Sequence, residues 1–186
     1  MPTAPTFGRY VEIPYEQMTP EQQEAYRSLV ETRGAVGGPN RIWVHNPKLA
    51  KAAGALGTHF NPGGYSLTQR EREIAVCIIN SKWHSAYPID AHERRAKDAG
   101  LPADQVEALI AGLQTSFQDE REQIVYEIAM VLANSRWVPR GLYDRAVKAL
   151  DHVGITDVIT LMGHYSSVAM TLAFYDVPAG AVGMAR

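Results

Sequence analysis

The chain has 186 residues, 46% of them apolar and 20% charged, and a net charge of −2 at pH 7. This size and composition suit one globular domain with its own core, and the low charge excludes a basic surface for nucleic acid or for an anionic membrane. The sequence has no run of 18 apolar residues and no signal-peptide pattern, and its single cysteine allows no internal disulfide. We therefore expect a soluble, cytoplasmic protein.

The amino-terminal third predicts an arm and two helices. Residues 1–18 contain three prolines and predict an extended arm. Thr19 and Gln22 form a capping-box pattern that starts a helix, and Gly34 ends it. A second helix is predicted from residue 48 to about residue 60. Its many alanines and glycines favour close packing against other helices or other subunits.

A glycine-rich loop, AVGGPNR, separates these two helices over residues 35–41. Two interpretations of it stay open. It is either a connector, or a segment whose backbone amides approach an anionic ligand together with Arg41, because a guanidinium binds a carboxylate through two hydrogen bonds.

The central stretch predicts two helices joined by a bend. Thr68 and Glu71 form a capping box at the start of the first helix, and Glu73 lies at the edge of the apolar stripe of that helix. The second helix is predicted over residues 88–100, and His92 lies on its inner face. One carboxylate and one imidazole thus face the interior from neighbouring helices.

Four more helices are predicted after residue 100, and residues 177–186 are read as a tail. The predicted starts are Leu101-Pro102, Ser116, Val138-Pro139 and Thr156. With about eight helical segments and no alternating strand pattern, the sequence predicts one all-α domain over residues 1–186. The order of elements in residues 68–113 recurs in residues 116–175, which suggests a duplicated helical unit.

The runs R-E-R-E-I-A-V, W-H-S-A-Y-P-I-D-A-H-E and A-G-L resemble the carboxymuconolactone decarboxylase and alkylhydroperoxidase D (AhpD)-like superfamily. The resemblance implies an AhpD-like helical bundle that assembles as a homo-oligomer, a trimer or a hexamer. In the peroxidase branch, a glutamate and a histidine flank a Cys-x-x-Cys motif. Glu73 and His92 hold the glutamate and histidine positions here, whereas Ser85 and Pro88 replace the two cysteines.

Without those thiols the site cannot reduce peroxide through a disulfide, so we exclude a thiol peroxidase. The resemblance to the long, cysteine-free members implies the decarboxylase branch instead. These enzymes are lyases of aromatic-compound catabolism that use no metal and no organic cofactor. The implied partner is a small organic acid, a carboxylated lactone or keto acid, and neither nucleic acid nor a membrane.

Glu73 and His92 are the predicted acid–base pair for this chemistry. Either His84 or Tyr87, on the bend, is predicted to hydrogen-bond the oxygen of an enolate; the alternatives are that Tyr87 serves packing and that His84 is only exposed. The residues predicted to contact the substrate are Arg41, Ser85, Trp83, His45 and His164.

Several alternatives stay open. His92 can be a hydrogen-bonded core histidine and Glu73 a first-turn acid that opposes the helix dipole. The same pocket can serve a lactone hydrolase or an isomerase, with a metal held by Glu73, His84 and His92, although no His-x-x-x-His pattern supports such a site. A non-enzymatic helical oligomer that binds a small ligand is the remaining class.

Overall fold

The computed structural model describes residues 4–184, which fold into a helical bundle, so the predicted all-α class is confirmed. A 3₁₀ turn at Tyr15–Gln17 precedes the helices. Their bounds are α1 Pro20–Arg33, α2 Asn40–Trp43, α3 Pro47–His59, α4 Gln69–Lys82, α5 Ala86–Asp98, α6 Ala103–Ala111, α7 Glu120–Ala133 and α8 Arg140–Phe174. Within residues 4–184 no helix, including the long α8, is apolar enough over a sufficient length to cross a membrane.

The helix starts predicted from capping boxes are confirmed. Thr19 accepts a hydrogen bond from the backbone of Gln22 at the start of α1, and the Gln22 side chain accepts one from Thr19 in return. Thr68 and Glu71 make the same exchange at the start of α4. Each box satisfies two backbone donors that a helix start leaves unpaired.

Two other predicted starts are wrong, because aspartates cap these helices. Asp119 Oδ1 accepts from the backbone N–H of Arg121 at 2.9 Å, so α7 begins after Asp119 and not at Ser116. The long α8 is broken at Asp151, whose φ is 51°. Asp151 Oδ1 accepts from the N–H of Val153 at 2.6 Å, so Asp151 and not Thr156 caps the second half. In addition, α5 begins at Ala86, two residues before the predicted start, and α2 occupies part of the predicted loop.

Helix α4 lies at the centre of the bundle. It packs against α5, α6, α7 and α8, and every residue from Glu71 to Ser81 is buried. Helices α1 and α3 form a second pair beside this core. Because α4 is covered on all sides, any charged side chain near its middle has to find partners inside the protein.

Helices α4 and α7 repeat one arrangement of ion pairs. Arg70 Nε lies 2.5 Å from Glu122 Oε1, and Arg121 Nε lies 2.7 Å from Glu71 Oε1. Each guanidinium also donates to a backbone carbonyl near the end of the following helical segment: Gly100 for Arg70 and Ala149 for Arg121. These matching contacts agree with the duplicated helical unit suggested by the sequence.

The arm and the tail pack together. Phe7 and Tyr10 are buried, and a tight turn joins them. Glu12 lies 2.5 Å from Arg41 Nη1 and accepts the backbone N–H of Met184 at 2.5 Å. The predicted arm and tail also include residues 1–3 and 185–186, which lie outside the described residues.

Candidate functional site

Glu73 and His92 meet in the interior between α4 and α5. The carboxylate of Glu73 is fully buried, and His92 is only 4% exposed. His92 Nδ1 lies 2.6 Å from Glu73 Oε2, a hydrogen-bonding distance. The capping box fixes the start of α4 and so places Glu73 one turn inside the helix, on the side that α5 covers.

Two more side chains on α4 hold the other oxygen of Glu73. Gln69 Nε2 donates to Oε1 at 2.9 Å, and Arg72 Nη1 donates to the same oxygen. Burial by itself raises the pKa of Glu73, but the hydrogen bond to His92 and the nearby charges of His92, Arg72 and Arg95 outweigh it and leave the pKa below its ordinary value. Glu73 is therefore ionised near neutral pH.

His92 is neutral under the same conditions. Burial, together with the charges of Arg95 and Arg72, lowers its pKa more than the contact with Glu73 raises it. Since ionised Glu73 can only accept, Nδ1 carries the hydrogen and Nε2 carries a lone pair. Nη1 of Arg95, a donor, faces Nε2 at 3.4 Å, which agrees with this assignment. The arrangement presents an imidazole that is ready to take up a proton at Nε2.

His92 lines a cavity of about 310 Å³ between α1, α2, α5 and α8. Arg33 and Arg95 also line it, and among the described residues no carboxylate is paired with either guanidinium. The apolar part of the lining includes Pro88, Val168 and Leu172. The cavity therefore combines apolar walls with unpaired positive charge, which suits a small organic anion.

Tyr165 of α8 also lines this cavity. Its ring lies edge-on to the imidazole of His92, with 4.9 Å between the ring centroids. Its hydroxyl oxygen accepts a hydrogen bond from Arg72 Nη2 at 2.6 Å. Arg72 thus connects Glu73 to Tyr165, and the three side chains surround His92.

Two of the other predicted site residues lie at the cavity. Tyr87 is in its lining and packs edge-on against Phe7, with 5.5 Å between the ring centroids. His164 is in the lining as well, and its pKa is lowered to about 4 by burial and by the charges of Arg33 and Arg72. His164 is therefore neutral near pH 7.

The other three predicted residues of the bend, Trp83, His84 and Ser85, lie outside the cavity lining. His84 is exposed in the turn after α4, with φ of 47°. Ser85 is buried at the start of α5, and no hydrogen-bond partner of its hydroxyl lies among residues 4–184. Trp83 is 39% exposed and lines a separate groove with Ile79 and Met162.

Arg41 and His45 are engaged elsewhere. The guanidinium of Arg41 is held by Glu12, and His45 is exposed with its ring against Tyr10. The structure thus brings four of the nine predicted residues to one place: Glu73, His92, Tyr87 and His164.

Sequence reasoning assigned no role to Arg33, Arg72, Arg95 and Tyr165. Two of them carried a local signal, because Arg72 adjoins Glu73 in sequence and Arg95 follows His92 by one helical turn. No nearby residue in the sequence indicated the contact between Tyr165 and Arg72, because 93 positions separate the two.

Other features give no comparable site. Grooves of about 560 and 670 Å³ are larger than the cavity, but neither is lined by Glu73 or His92. Within residues 4–184 no group of three or more His, Cys, Asp or Glu side chains is placed to hold a metal ion. Cys77 is buried, and burial raises the pKa of its thiol well above the ordinary value. The larger grooves therefore lack the acid–base pair that distinguishes the cavity at His92.

No protein-family model matches the sequence, and a comparison with curated protein sequences gives no match. Solved structures of similar fold include the debrominase Bmp8 in its apo form, with a TM-score of 0.67, 16% identity and 91% of each chain covered. A variant of Bmp8 in complex with 2,3,4-tribromopyrrole gives a TM-score of 0.65 at 16% identity, over 91% of this chain and 90% of the other. At this identity the likeness shows the fold alone: the chain shares its all-helical bundle with Bmp8, and this bundle is consistent with the predicted AhpD-like fold.

Proposed function

We propose that the chain is an enzyme of the carboxymuconolactone decarboxylase type, which removes CO₂ from a small carboxylated lactone or keto acid without a cofactor. The observation that carries the proposal is the buried Glu73–His92 pair at a cavity that also contains unpaired arginines. A structural histidine would not need a cavity beside it. The likeness to a debrominase adds that this fold supports the modification of small molecules.

Arg33 and Arg95 are the groups that would attract the organic acid. Arg95 faces His92 Nε2, so a substrate carboxylate on Arg95 would bring the neighbouring carbons close to this nitrogen. A guanidinium in contact with the departing carboxylate would stabilise the substrate more than the transition state. We therefore assign Arg95 to a carboxylate that remains in the product, and the apolar wall to the one that leaves.

The proposed reaction needs one proton. Cleavage of the carbon–carbon bond releases CO₂ and leaves its electron pair delocalised into the adjacent carbonyl as an enolate. His92, after taking a proton from solvent, gives the Nε2 proton to the enolate carbon, while Glu73 stabilises the imidazolium. Positioned acid–base catalysis of this kind contributes about 10²–10⁴-fold to the rate.

An isomerase is the second candidate, and the neutral state of His92 favours it. The lone pair of Nε2 can take a proton from the carbon next to a carbonyl and return it to another carbon. This reaction uses the same pair and the same cavity, but it starts from neutral imidazole and not from imidazolium.

CO₂ release from metal-free protein, measured over a panel of carboxylated lactones and β-keto acids, tests the proposal. Separately, 2,3,4-tribromopyrrole is titrated with binding as its readout, because a Bmp8 variant binds that compound. We expect His92→Ala and Glu73→Gln to lose at least about 100-fold in kcat. The matched control is His152→Ala, which changes an exposed histidine of α8. Full activity in both site variants would show that the site is elsewhere, and binding without turnover would favour the non-enzymatic oligomer.

The pH dependence separates the two reactions. Glu73, Arg72, Arg95 and Tyr165 surround His92, and its lowered pKa makes imidazolium scarce near pH 7. If His92 acts as an acid, kcat falls as the pH rises through this pKa. If it acts as a base, kcat rises over the same range and then levels off. A decreasing profile supports the decarboxylase, and an increasing one supports the isomerase.

A further inference from the structure

We propose that Tyr165 is a further catalytic residue, whose O–H group, polarised by Arg72, binds the enolate oxygen formed next to His92. This inference rests on the proposed function, since both candidate reactions pass through an enolate. Donation to the enolate oxygen was predicted from the sequence for His84 or Tyr87, and this inference places it on Tyr165 of α8 instead.

The hydrogen bonds of the Tyr165 hydroxyl leave its hydrogen available. A phenol has one donor hydrogen and also accepts through its oxygen. Arg72 Nη2 donates to this oxygen at 2.6 Å, so the oxygen lone pair is engaged. Among residues 4–184 the structure gives no acceptor for the hydrogen itself. Tyr165 lines the cavity, and a donor hydrogen without an acceptor on such a side chain is suited to an oxygen atom of a ligand.

The position of Tyr165 matches what the enolate needs. Its ring and the imidazole of His92 are neighbours, 4.9 Å apart at their centroids, and both line one cavity. In an enolate the oxygen is attached to the carbon next to the one that exchanges a proton. A substrate carbon at His92 Nε2 therefore carries its oxygen toward donors on an adjacent wall.

Arg72 makes Tyr165 a stronger donor. Its guanidinium lies 5.4 Å from the centre of the Tyr165 ring as well as donating to the hydroxyl oxygen. A cation that donates to the oxygen draws electron density from the O–H bond and strengthens the bond that this hydrogen makes to an anion. Because both groups are fixed before the substrate arrives, little reorganisation is needed when the charge develops.

The competing donors are less well placed. His84 lies outside the cavity lining. Tyr87 lines the cavity, but its ring packs against Phe7 of the arm and not against His92. Burial raises the pKa of Tyr165 more than Arg72 lowers it, so the phenol keeps its hydrogen at neutral pH.

Binding of fluorophenols provides a test that does not require the natural substrate. A fluorophenolate presents the same kind of oxyanion as an enolate, and its binding is measured by titration at a pH above the pKa of the ligand. We expect Tyr165→Phe to weaken binding of the phenolates by about 10- to 100-fold, as for loss of a hydrogen bond to a charged group. The neutral phenols should lose much less.

Tyr143→Phe is the matched control. Tyr143 lies on the same helix, and Arg140 lies 5.4 Å from the centre of its ring, the same distance as between Arg72 and Tyr165. However, Tyr143 is 45% exposed and outside the cavity. The control should bind every phenolate as the wild type does, and urea unfolding should show that both variants are folded.

Equal phenolate affinity in the wild type and in Tyr165→Phe would overturn the inference, as would a wild type that binds no phenolate. A second measurement needs no variant: fluorobenzenes, which lack the oxygen, should bind the wild type at least about tenfold more weakly than the phenolates. If Tyr165→Phe loses phenolate affinity while the wild type turns over no compound of the panel, the donor site stands and the proposed reaction fails. Where a substrate is found, Tyr165→Phe should lower kcat by about 10²–10³-fold with little change in KM.

Discussion

The protonation states around the cavity follow from where each side chain is buried and what it touches. Glu73 is charged because its hydrogen bond to His92 and the charges of His92, Arg72 and Arg95 outweigh burial, and His92 is neutral because it is buried with Arg95 and Arg72 close by. One ionised acid beside one neutral imidazole is a common requirement of acid–base catalysis. At this site it results from the local order of residues on α4 and α5.

The lowered pKa of His164 predicts how the free energy of unfolding depends on pH. Burial and the charges of Arg33 and Arg72 lower its pKa from 6.5 to about 4. The unfolded chain therefore binds a proton at His164 more readily than the folded one. The contribution of His164 to the free energy of unfolding is fully present above pH 6.5 and is lost as the pH decreases toward 4. The difference in pKa corresponds to about 3 kcal/mol. His164→Asn should remove this part of the acid sensitivity.

The measurement is urea unfolding of the wild type and the variant at pH 7.5, 5.5 and 4.5. The matched control is His152→Asn on the exposed side of α8, which should keep the wild-type dependence. His92 contributes to the pH dependence with the same sign, so the difference between the wild type and His164→Asn is the quantity compared. Parallel curves for these two proteins would show that His164 is not the group responsible.

The Glu73–His92 pair could be predicted because Glu73 lies at the edge of the apolar stripe of one helix and His92 lies on the inner face of the next helix. The contact of Arg72 with Tyr165 could not, since it depends on how α8 lies across α4. Arg41 illustrates the same limit. The sequence suggested an anion-binding guanidinium, but a buried carboxylate from the arm, Glu12, occupies it.

At the scale of elements, α4 positions the site and α7 supports α4. The two helices are joined at their amino-terminal ends by the pairs Arg121–Glu71 and Arg70–Glu122. Glu71 is almost fully buried and accepts two bonds from Arg121, at 2.7 and 3.3 Å. A buried acid that loses its partner is strongly destabilising.

We therefore expect Arg121→Met to lower the free energy of unfolding by about 3 kcal/mol, and Arg70→Met to lower it by a similar or smaller amount. Glu71→Gln, which keeps the capping oxygen, should rescue part of the loss in Arg121→Met. A double-mutant cycle by urea unfolding measures this coupling. The control cycle is the exposed pair Arg140–Asp144, for which about 0.3–0.5 kcal/mol is expected. Equal couplings in the two cycles would contradict a special role for the pairs between α4 and α7.

Helix starts were predictable where a threonine and a side chain three residues later form a capping box, as at Thr68. They were missed where a single aspartate caps the helix, as at Asp119 and Asp151, because nearby polar residues gave equally good signals. Ser116 and Thr156 are such competitors. Thr156 in fact lies inside the helix and donates to the carbonyl of His152. Local sequence patterns therefore predict the presence of a helix more reliably than its first residue.

At the scale of the molecule, α3 and the second half of α8 border an apolar groove. Leu49, Leu56 and Met170 line it and are 47%, 37% and 43% exposed. An exposed apolar groove is typical of surfaces that bind other molecules. The trimer or hexamer implied by the resemblance stays a prediction, which light scattering can test.

The last prediction concerns how the ends of the chain are held. Glu12 is buried, pairs with Arg41 and accepts the backbone N–H of Met184. Burial raises the pKa of Glu12, but the bonds from Met184 and Arg41 outweigh it, so the pKa lies below 4.5 and Glu12 is ionised near pH 7. This one carboxylate therefore joins the arm, α2 and the tail. Phe7 of the arm also packs on Tyr87 at the cavity.

Glu12→Gln should therefore release the arm and the tail together. We expect a loss of about 3 kcal/mol in the free energy of unfolding, because Arg41 loses its buried partner. Amide hydrogen exchange should become faster in residues 5–18 and 177–184, but not in α4. The matched control, Glu16→Gln, changes an exposed acid of the same arm and should leave both measurements unchanged. Faster exchange in the arm alone would mean that the tail is held by other contacts, because the bond from Met184 would then not depend on the charge of Glu12.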